Sequence, residues 1–259
     1  LRRAMPGNAT QTLEPRFFYL FVPDEDQSDL PLFDTAELDF SYDQLFRENR
    51  FSGRDRIGDA NQISLALSSR YLNANNREIW RASVGSAFYL DDQDVSLSEE
   101  DPASGRSDIV GEMLYSGQRN WQVRAIAQFG ANGAELERSG LDLRYRKSKK
   151  LFNIGHRLQR DRLEHLDISF AWPFDNGLTL LGRSQQSLQD SRSLEQLIGF
   201  SYDSCCWAFR GGFRRTLNND EEYENDYTVE MVFKGLGGLG NSVGNEFDRA
   251  ILGYRDIDE

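Results

Sequence analysis

No stretch of this sequence approaches the roughly 18 to 20 consecutive apolar residues that a membrane-spanning helix needs. Helical membrane spans are therefore excluded. Membrane-spanning strands are not, because such strands are apolar on one face only. Apolar residues are scarce throughout, at 39% against a soluble-domain norm of roughly 45–50%. Basic residues are also outnumbered, 30 Lys and Arg against 42 Asp and Glu, for a net charge of −12. Nucleic-acid binding requires a basic stripe, so this charge argues against it. It fits acidic loops in water, and ordinary solubility accounts for it as well. Histidine and cysteine occur twice each, and no second ligand pair lies at zinc-site spacing from Cys205 and Cys206. The chain opens at Leu1 without Met, and Leu1 to Glu14 is polar, with Arg2, Arg3 and Pro6 in place of a signal-type apolar segment. The expectation is a piece of something longer.

What is abundant is aromatic residues and glycine: 17 Phe, 10 Tyr, 4 Trp and 22 Gly, with only 6 Pro. The sequence has no fixed repeat and no low-complexity block, but it has a rhythm. Segments of about ten residues alternate apolar with polar and are separated by turn residues. In Leu166–Phe174, residues Leu166, Ile168, Phe170, Trp172 and Phe174 share one face, and Asp167, Ser169 and Ala171 the other. Trp121–Phe129, Trp80–Leu90 and Tyr227–Phe233 sort in the same way. A helix would scatter these sets around its circumference; a strand separates them. Weaker strands are expected near Gln11–Val22, Thr35–Tyr42, Asn61–Leu72, Ser107–Ser116, Glu137–Arg146, Leu151–Leu158, Gly177–Ser187, Ser193–Tyr202 and Cys206–Leu217. The fold class is all-β, with about 13 strands in all.

A soluble sandwich also alternates, but its strands average roughly five to six residues. These run nearer ten, the length that crosses a bilayer when tilted, and aromatics gather near their ends as in interfacial girdles. The spacing therefore predicts a portion of an antiparallel transmembrane β-barrel. Two long acidic connections, Asp91–Arg106 and Asn218–Asp226, are separated by an even number of strands and fall on one side. The tight turns at Gly117–Arg119, Lys147–Lys149, Asp175–Asn176 and Asp203–Ser204 then fall on the opposite, periplasmic side. Cys205 and Cys206 are adjacent beside one such turn. Neighbours in a strand point to opposite faces, and a disulfide between sequence neighbours is strained. If the pair is oxidised, its partners lie outside this segment; the alternative is two unpaired small residues.

Several stretches resemble one family. YDSCCWAFR (Tyr202–Arg210) is similar to the vicinal-cysteine motif of LptD proteins. LEPRFFYLFVPDEDQSDLPLFD (Leu13–Asp34) and LFRENRFSGRDRIGDANQ (Leu45–Gln62) resemble that family's segments before and after an early strand. VFKGLGGLG (Val232–Gly240) resembles its last strand and exit, while Asp91 to Glu195 matches in pattern only. The resemblance implies about half of a large outer-membrane barrel of Gram-negative bacteria. Residues 1–259 would be the C-terminal part of that barrel, without the family's N-terminal periplasmic domain. It implies transport of lipopolysaccharide into the outer leaflet, jointly with the lipoprotein LptE that plugs the lumen, after delivery by a periplasmic bridge. It implies no enzymatic chemistry and no cofactor. It implies disulfides from Cys205 and Cys206 to cysteines near the family's N-terminus, and a lateral opening flanked by the last strand, Tyr227 to Leu236, with Tyr227, Val229, Met231 and Phe233. A half barrel has open edges that lipid does not tolerate, so the piece alone is not expected to insert and transport.

Other chemistry is weaker. A generic porin or receptor and an outer-membrane hydrolase are the competing classes. A porin needs a closed, even-stranded barrel within one chain. A hydrolase needs a converging nucleophile and base. His165 and Asp167 share a face, but these histidines, His156 included, read as polar strand positions. FKGLGGLGNSVG lacks the Lys-Ser/Thr ending of a phosphate loop and reads as a flexible exit from the last strand. The run containing Arg47, Glu48, Arg50, Arg54, Asp55, Arg56 and Asp59 is either a solvated loop or one folded by Arg–carboxylate pairs against the lumen. The acidic loops would meet anionic lipopolysaccharide only through divalent cations.

Overall fold

A computed structural model describes residues 1–27, 29–97, 105–117, 120–240 and 242–255. The described residues form fourteen strands: β1 (Arg2–Met5), β2 (Ala9–Val22), β3 (Ala60–Leu72), β4 (Glu78–Tyr89), β5 (Ile109–Ser116), β6 (Trp121–Phe129), β7 (Leu136–Lys147), β8 (Lys150–Gln159), β9 (Leu163–Pro173), β10 (Leu178–Ser187), β11 (Arg192–Asp203), β12 (Trp207–Leu217), β13 (Tyr223–Phe233) and β14 (Gly237–Gly240). One helix, α1 (Val243–Ala250), follows. The strands run in sequence order, each hydrogen-bonded to the next, with β1 and β14 at the ends of the order. The all-β class and the antiparallel order are those the alternation implied, and they are consistent with a portion of a β-barrel. Connections from odd to even strands are short throughout; the two longest, 23–59 and 90–108, both join an even strand to an odd one. Successive connections of an antiparallel meander alternate between two ends, so the even-strand spacing of the acidic connections holds. Residues 98–104 of the first acidic connection, and Gln118 and Arg119 of one tight turn, lie outside the described residues.

The chain divides into two compact units. One is Leu1–Ser116 with Ala125–Ser139, and the other is Gly117–Arg124 with Gly140–Glu259. In the second unit the burial pattern is the reverse of a soluble sheet. Leu197 is 3% exposed and its neighbour Ile198 is 62% exposed. Ala171, Leu181 and Leu151 are buried, whereas Trp172 and Leu180 are exposed. The covered face is thus the one carrying small and polar residues, and most of the larger apolar side chains point the other way. What covers it is α1: Val243, Phe247 and Ile251 pack on Leu151, Ala171, Leu181 and Leu197. Their spacing of four places them on one helical face. Gly199 makes the approach possible, because a Cβ there would collide with the Phe247 ring and stand 2.5 Å from the Gly211 carbonyl oxygen.

The first unit repeats the device without a long helix. Here Ser64 and Ser68 are buried and Leu65 and Leu67 exposed. A 3-10 turn at Asp43–Phe46 lays Leu45 onto Ala87 and Val110, with Phe40, Tyr42, Phe46 and Tyr89 around it. Gly85 leaves the room, since a Cβ would stand 2.6 Å from Leu45 Cδ1.

Four details differ from the sequence reading, the first being the added short strand β1, which pairs Arg2–Met5 with Ala9–Thr12. Thr35–Tyr42 is not a ladder strand. Its backbone is satisfied locally, by Leu38 N–H to Arg50 O (3.0 Å) and a single bridge between Glu37 and Phe51. The real alternation of Phe40 and Tyr42 serves docking onto the sheet face. The glycine-rich segment after Phe233 is no free exit, because Gly237–Gly240 pairs with Glu230–Phe233 as β14. The last long strand is accordingly Tyr223–Phe233, ending before Leu236. Helix α1 was not anticipated, although Val243, Phe247, Ala250 and Ile251 carry its signal.

Gly199→Ala in the full-length protein is expected to lower the unfolding free energy measured in urea by about 1–3 kcal/mol through overpacking. Gly111→Ala, where the added Cβ meets nothing nearer than 3.8 Å, is the matched control and should unfold close to wild type.

Candidate functional site: a charged inner face and an apolar belt

The face that α1 covers carries an ionic lattice built by strand alternation. Asp167 on β9, Arg183 on β10 and Glu195 on β11 occupy alternate positions pointing to this face. Arg183 donates to Asp167 Oδ2 through Nη2 (2.6 Å) and Nε (3.0 Å), and to Glu195 Oε2 through Nη1 (2.8 Å). Glu195 in turn pairs through Oε1 with Arg214 Nη2 on β12 (2.7 Å). One rung away, Arg210 Nη1 meets Glu230 Oε2 at 3.2 Å, with side chains only 3% and 12% exposed. The same Glu230 oxygen accepts the Gly244 amide N–H at 3.0 Å, and Thr228 Oγ1 donates to Glu246 at 3.3 Å, which ties the start of α1 to β13. Burying charge is tolerable only when each is paired, and here each carboxylate serves at least one guanidinium.

Beside this lattice lies a cavity of about 390 Å³ whose walls include Arg144, Arg157, His165, Asp167, Arg183 and Arg249. Such walls hold water and polar groups. His165 and Asp167 do line one cavity, but Asp167 Oδ2 is taken by Arg183 and so does not orient the imidazole. His156 Nε2 is 3.1 Å from Glu164 on the opposite face.

In the first unit, part of the charged run in residues 47–59 folds its loop. Arg50 pairs with Asp59 (2.8 Å), and Arg56, nearly buried, donates to the carbonyls of Gln27 and Leu30. Asp55 Oδ2 accepts the amides of Phe33 and Asp34 at 3.1 and 3.0 Å. Those amides pull its carboxyl below the usual range, while its hydrogen bond to Asp34 pushes the Asp34 carboxyl up. Asp59 also accepts the amides of Asp94 and Val95. Burial opposes its ionisation, yet Arg50 and these amides hold its carboxyl below the ordinary value. Arg47, Glu48 and Arg54 are not drawn into this network by any bond among the described residues.

The opposite face is an apolar belt with aromatic margins. Leu65, Leu67, Val84, Met113, Ile198 and Val229 are exposed along it. All four tryptophans of the chain, Trp80, Trp121, Trp172 and Trp207, stand within three residues of the strand end that meets a short turn. Tyrosines join them: Tyr71 stacks on Trp80, Tyr145 lies 4.8 Å from Trp121 and Tyr202 lies 5.4 Å from Trp207, centroid to centroid. Toward the other end of their strands, Phe17, Tyr19, Phe21, Phe88 and Phe129 are exposed. Amphipathic rings at both margins of an apolar band are the arrangement of a lipid-facing wall. Tyr227, Val229, Met231 and Phe233 belong to this face of β13, with Tyr227 78% exposed. Since β14 covers only Glu230–Phe233, residues 223–229 of β13 have no partner on that side among the described residues.

Cys205 and Cys206 are free and exposed. They occupy the β11–β12 turn, closed by Ser204 N–H to Trp207 O (2.9 Å), instead of alternating along a strand. Their sulfurs are 2.9 Å apart. The hydrogen bonds from Cys206 and Ser204, with Lys234 nearby, lower the Cys205 thiol, while the bond to Cys205 raises that of Cys206.

Alternation identified which residues share the charged face, but not the lattice itself. Arg183, Arg210, Arg214, Glu195 and Glu230 drew no attention in the sequence because their partners are set by cross-strand register. Among known proteins, the family model for LPS transport system D, LptD, matches residues 2–178. The chain is 40% identical over 248 residues to an LPS-assembly protein LptD from Nitrosococcus oceani, covering 94% of this chain and 34% of that protein. It is 39% identical over 258 residues to the LPS-assembly protein LptD of Xylella fastidiosa strain 9a5c, covering 95% and 33%. It is 34% identical over 304 residues to that of Ectopseudomonas mendocina, covering 96% and 32%. The chain thus spans about a third of the length of these curated relatives.

Arg210→Met is expected to cost about 3 kcal/mol, because it strands a buried carboxylate; urea unfolding of the full-length protein measures it. For Asp59, a depressed folded pKa means that its contribution is complete above the unfolded value of about 3.9 and lost as pH falls through the lower folded value. Hydrogen-exchange protection of the Asp94 and Val95 amides should hold constant from pH 7 to about 5 and fall below about 4. In Asp59→Asn that step should be absent.

Proposed function

The chain belongs to the LptD family, LPS transport system D, and from that premise we propose that it forms the C-terminal part of an outer-membrane barrel of a Gram-negative bacterium that moves lipopolysaccharide into the outer leaflet. The observation that carries the proposal is the inversion of faces: charged and small residues on the covered side, large apolar ones on the bare side. A charged lumen accommodates sugars and phosphates, and an apolar outer wall accommodates acyl chains. Passage between the two requires a seam in the wall. The incomplete cover of β13 by β14 supports a seam at Tyr227 and Val229, while Met231 and Phe233, further along the same face, are paired with β14; the barrel's first strand, outside this chain, would stand on the other side.

The rest of the machine is inferred in the same way. The barrel acts with LptE in its lumen and receives lipid from a periplasmic bridge through an N-terminal domain beyond this segment. Cys205 and Cys206 form disulfides with cysteines of that domain. Their exposure on a short turn supports this, as does the lowered thiol of Cys205, since the thiolate is the attacking species in exchange. Short turns face the periplasm in such barrels, and that compartment is oxidising.

A photo-crosslinking side chain placed at Val229 of the full-length protein in cells is expected to capture lipopolysaccharide. One placed at Ile198, on the same face but two strands inward, should not. Equal capture at both would reject the seam. On non-reducing gels, Cys205→Ser and Cys206→Ser should each remove one mobility shift that reductant abolishes in the wild type; no shift in any form would reject the disulfides.

A further inference from the structure

Lysine is rare in this chain, with four among 259 residues. All four occupy short turns or strand ends beside them: Lys147, Lys149 and Lys150 around the β7–β8 turn, and Lys234 after β13. Most connections at the other strand ends are acidic, as in 218–222, with 160–162 (Arg160, Asp161, Arg162) the exception; that side holds no lysine, and the whole chain carries −12. Net charge would disperse lysines anywhere, so their confinement to this side needs a local cause.

Intramolecular pairing is not that cause at the β7–β8 turn. Lys234 meets Asp203 at 3.4 Å. Lys147 and Lys149 are exposed and make no ion pair among the described residues. Lys150 turns back onto the apolar face, its Nζ 4.7 Å from the Trp172 ring centroid. Trp121 and Tyr145 pair with each other near the short-turn ends of β6 and β7. Ser148, at φ 53°, closes the two-residue turn that presents the flanking lysines. Cations directly beyond an aromatic margin, with acyl-compatible surface next to them, match the depth order of a phospholipid: phosphate, glycerol, then chains.

We propose that Lys147, Lys149 and Lys150, with Trp121 and Trp172, form a binding site for anionic phospholipid headgroups of the leaflet that the short turns meet. This rests on the membrane-barrel reading above, though not on what the barrel transports. The lysines supply the attraction, and the tryptophans fix the depth at which it acts. The site would retain a shell of phosphatidylglycerol-type lipid against this part of the wall.

The test uses the full-length protein in detergent, titrated with phosphatidylglycerol or phosphatidylethanolamine and read by native mass spectrometry. Wild type should prefer phosphatidylglycerol, and the preference should shrink as salt rises. The triple variant Lys147→Gln, Lys149→Gln, Lys150→Gln should lose at least about tenfold of that preference, because each basic residue near an anionic surface is worth a factor of about five. The triple Lys→Arg variant should keep it. Should the glutamine variant fail to fold, the arginine variant and the salt series on wild type decide. Equal binding of both lipids by wild type, or an unchanged preference in the glutamine variant, overturns the proposal. So does loss of a co-purifying acidic protein with lipid preference intact, which would make the turn a protein contact. Lipopolysaccharide delivery in cells is scored separately, so a failure there with the lipid preference intact would reject the transport reading and leave this site standing.

Discussion

Every backbone amide and carbonyl of a strand that faces lipid must find its partner in a neighbouring strand, because hydrocarbon offers none. In the proposed reading of the bare face as a lipid-facing wall, the arrangement of this chain depends on that constraint. It accounts for the unbroken sequential order from β1 to β14, for strands mostly of about ten residues, and for loops confined to strand ends. Because a pleated strand shows alternate residues to opposite sides, a wall with lipid on one side and a polar interior on the other must alternate charged or small with large apolar. Leu197 beside Ile198 is the local form of that demand. Chemistry does not separate these two residues; only the side to which each points does.

The charged face then raises a second problem, which the two units answer differently. Guanidinium and carboxylate groups removed from bulk water must be paired. In the second unit the pairs run diagonally across strands, from Asp167 through Arg183 and Glu195 to Arg214, and a helix seals part of the surface with three apolar side chains. In the first unit the loop between β2 and β3 does the sealing with Leu45, and Arg50, Asp55, Arg56 and Asp59 hold its backbone. In each unit glycine marks the close approach, Gly85 under Leu45 and Gly199 under Phe247. A polar face therefore acquires a small apolar core wherever a segment lies across it.

The two ends of the strands are chemically distinct. Tryptophan and lysine gather at the short-turn end, while the longest connections hold carboxylates and the backbone amides that bind them. In the lipopolysaccharide-transport reading these ends meet different media. Glu230 links the features that matter most there: it lies on β13, pairs with Arg210 and receives the first turn of α1. The strand beside the suggested seam is thereby braced from inside the wall.

Much of this was legible in the sequence, because alternation is local. The period of two in Leu166–Phe174 or Trp121–Phe129 fixes strand identity and sorts the faces without knowledge of any partner, and parity of strand count orders the turns. The motif YDSCCWAFR and its companions pointed to the family. What the sequence left open was non-local. Which carboxylate Arg183 meets depends on register between three strands, and Thr35–Tyr42 alternates as a strand would but satisfies its backbone against Arg50 and docks on the sheet. The glycines after Phe233 carry no side-chain pattern, so only pairing with Glu230–Phe233 could reveal β14. The helix face of Val243, Phe247 and Ile251 was written in the chain, yet its destination on Leu151, Ala171, Leu181 and Leu197 arises only once four strands stand side by side, since no one of them alone offers a surface wide enough to bury it.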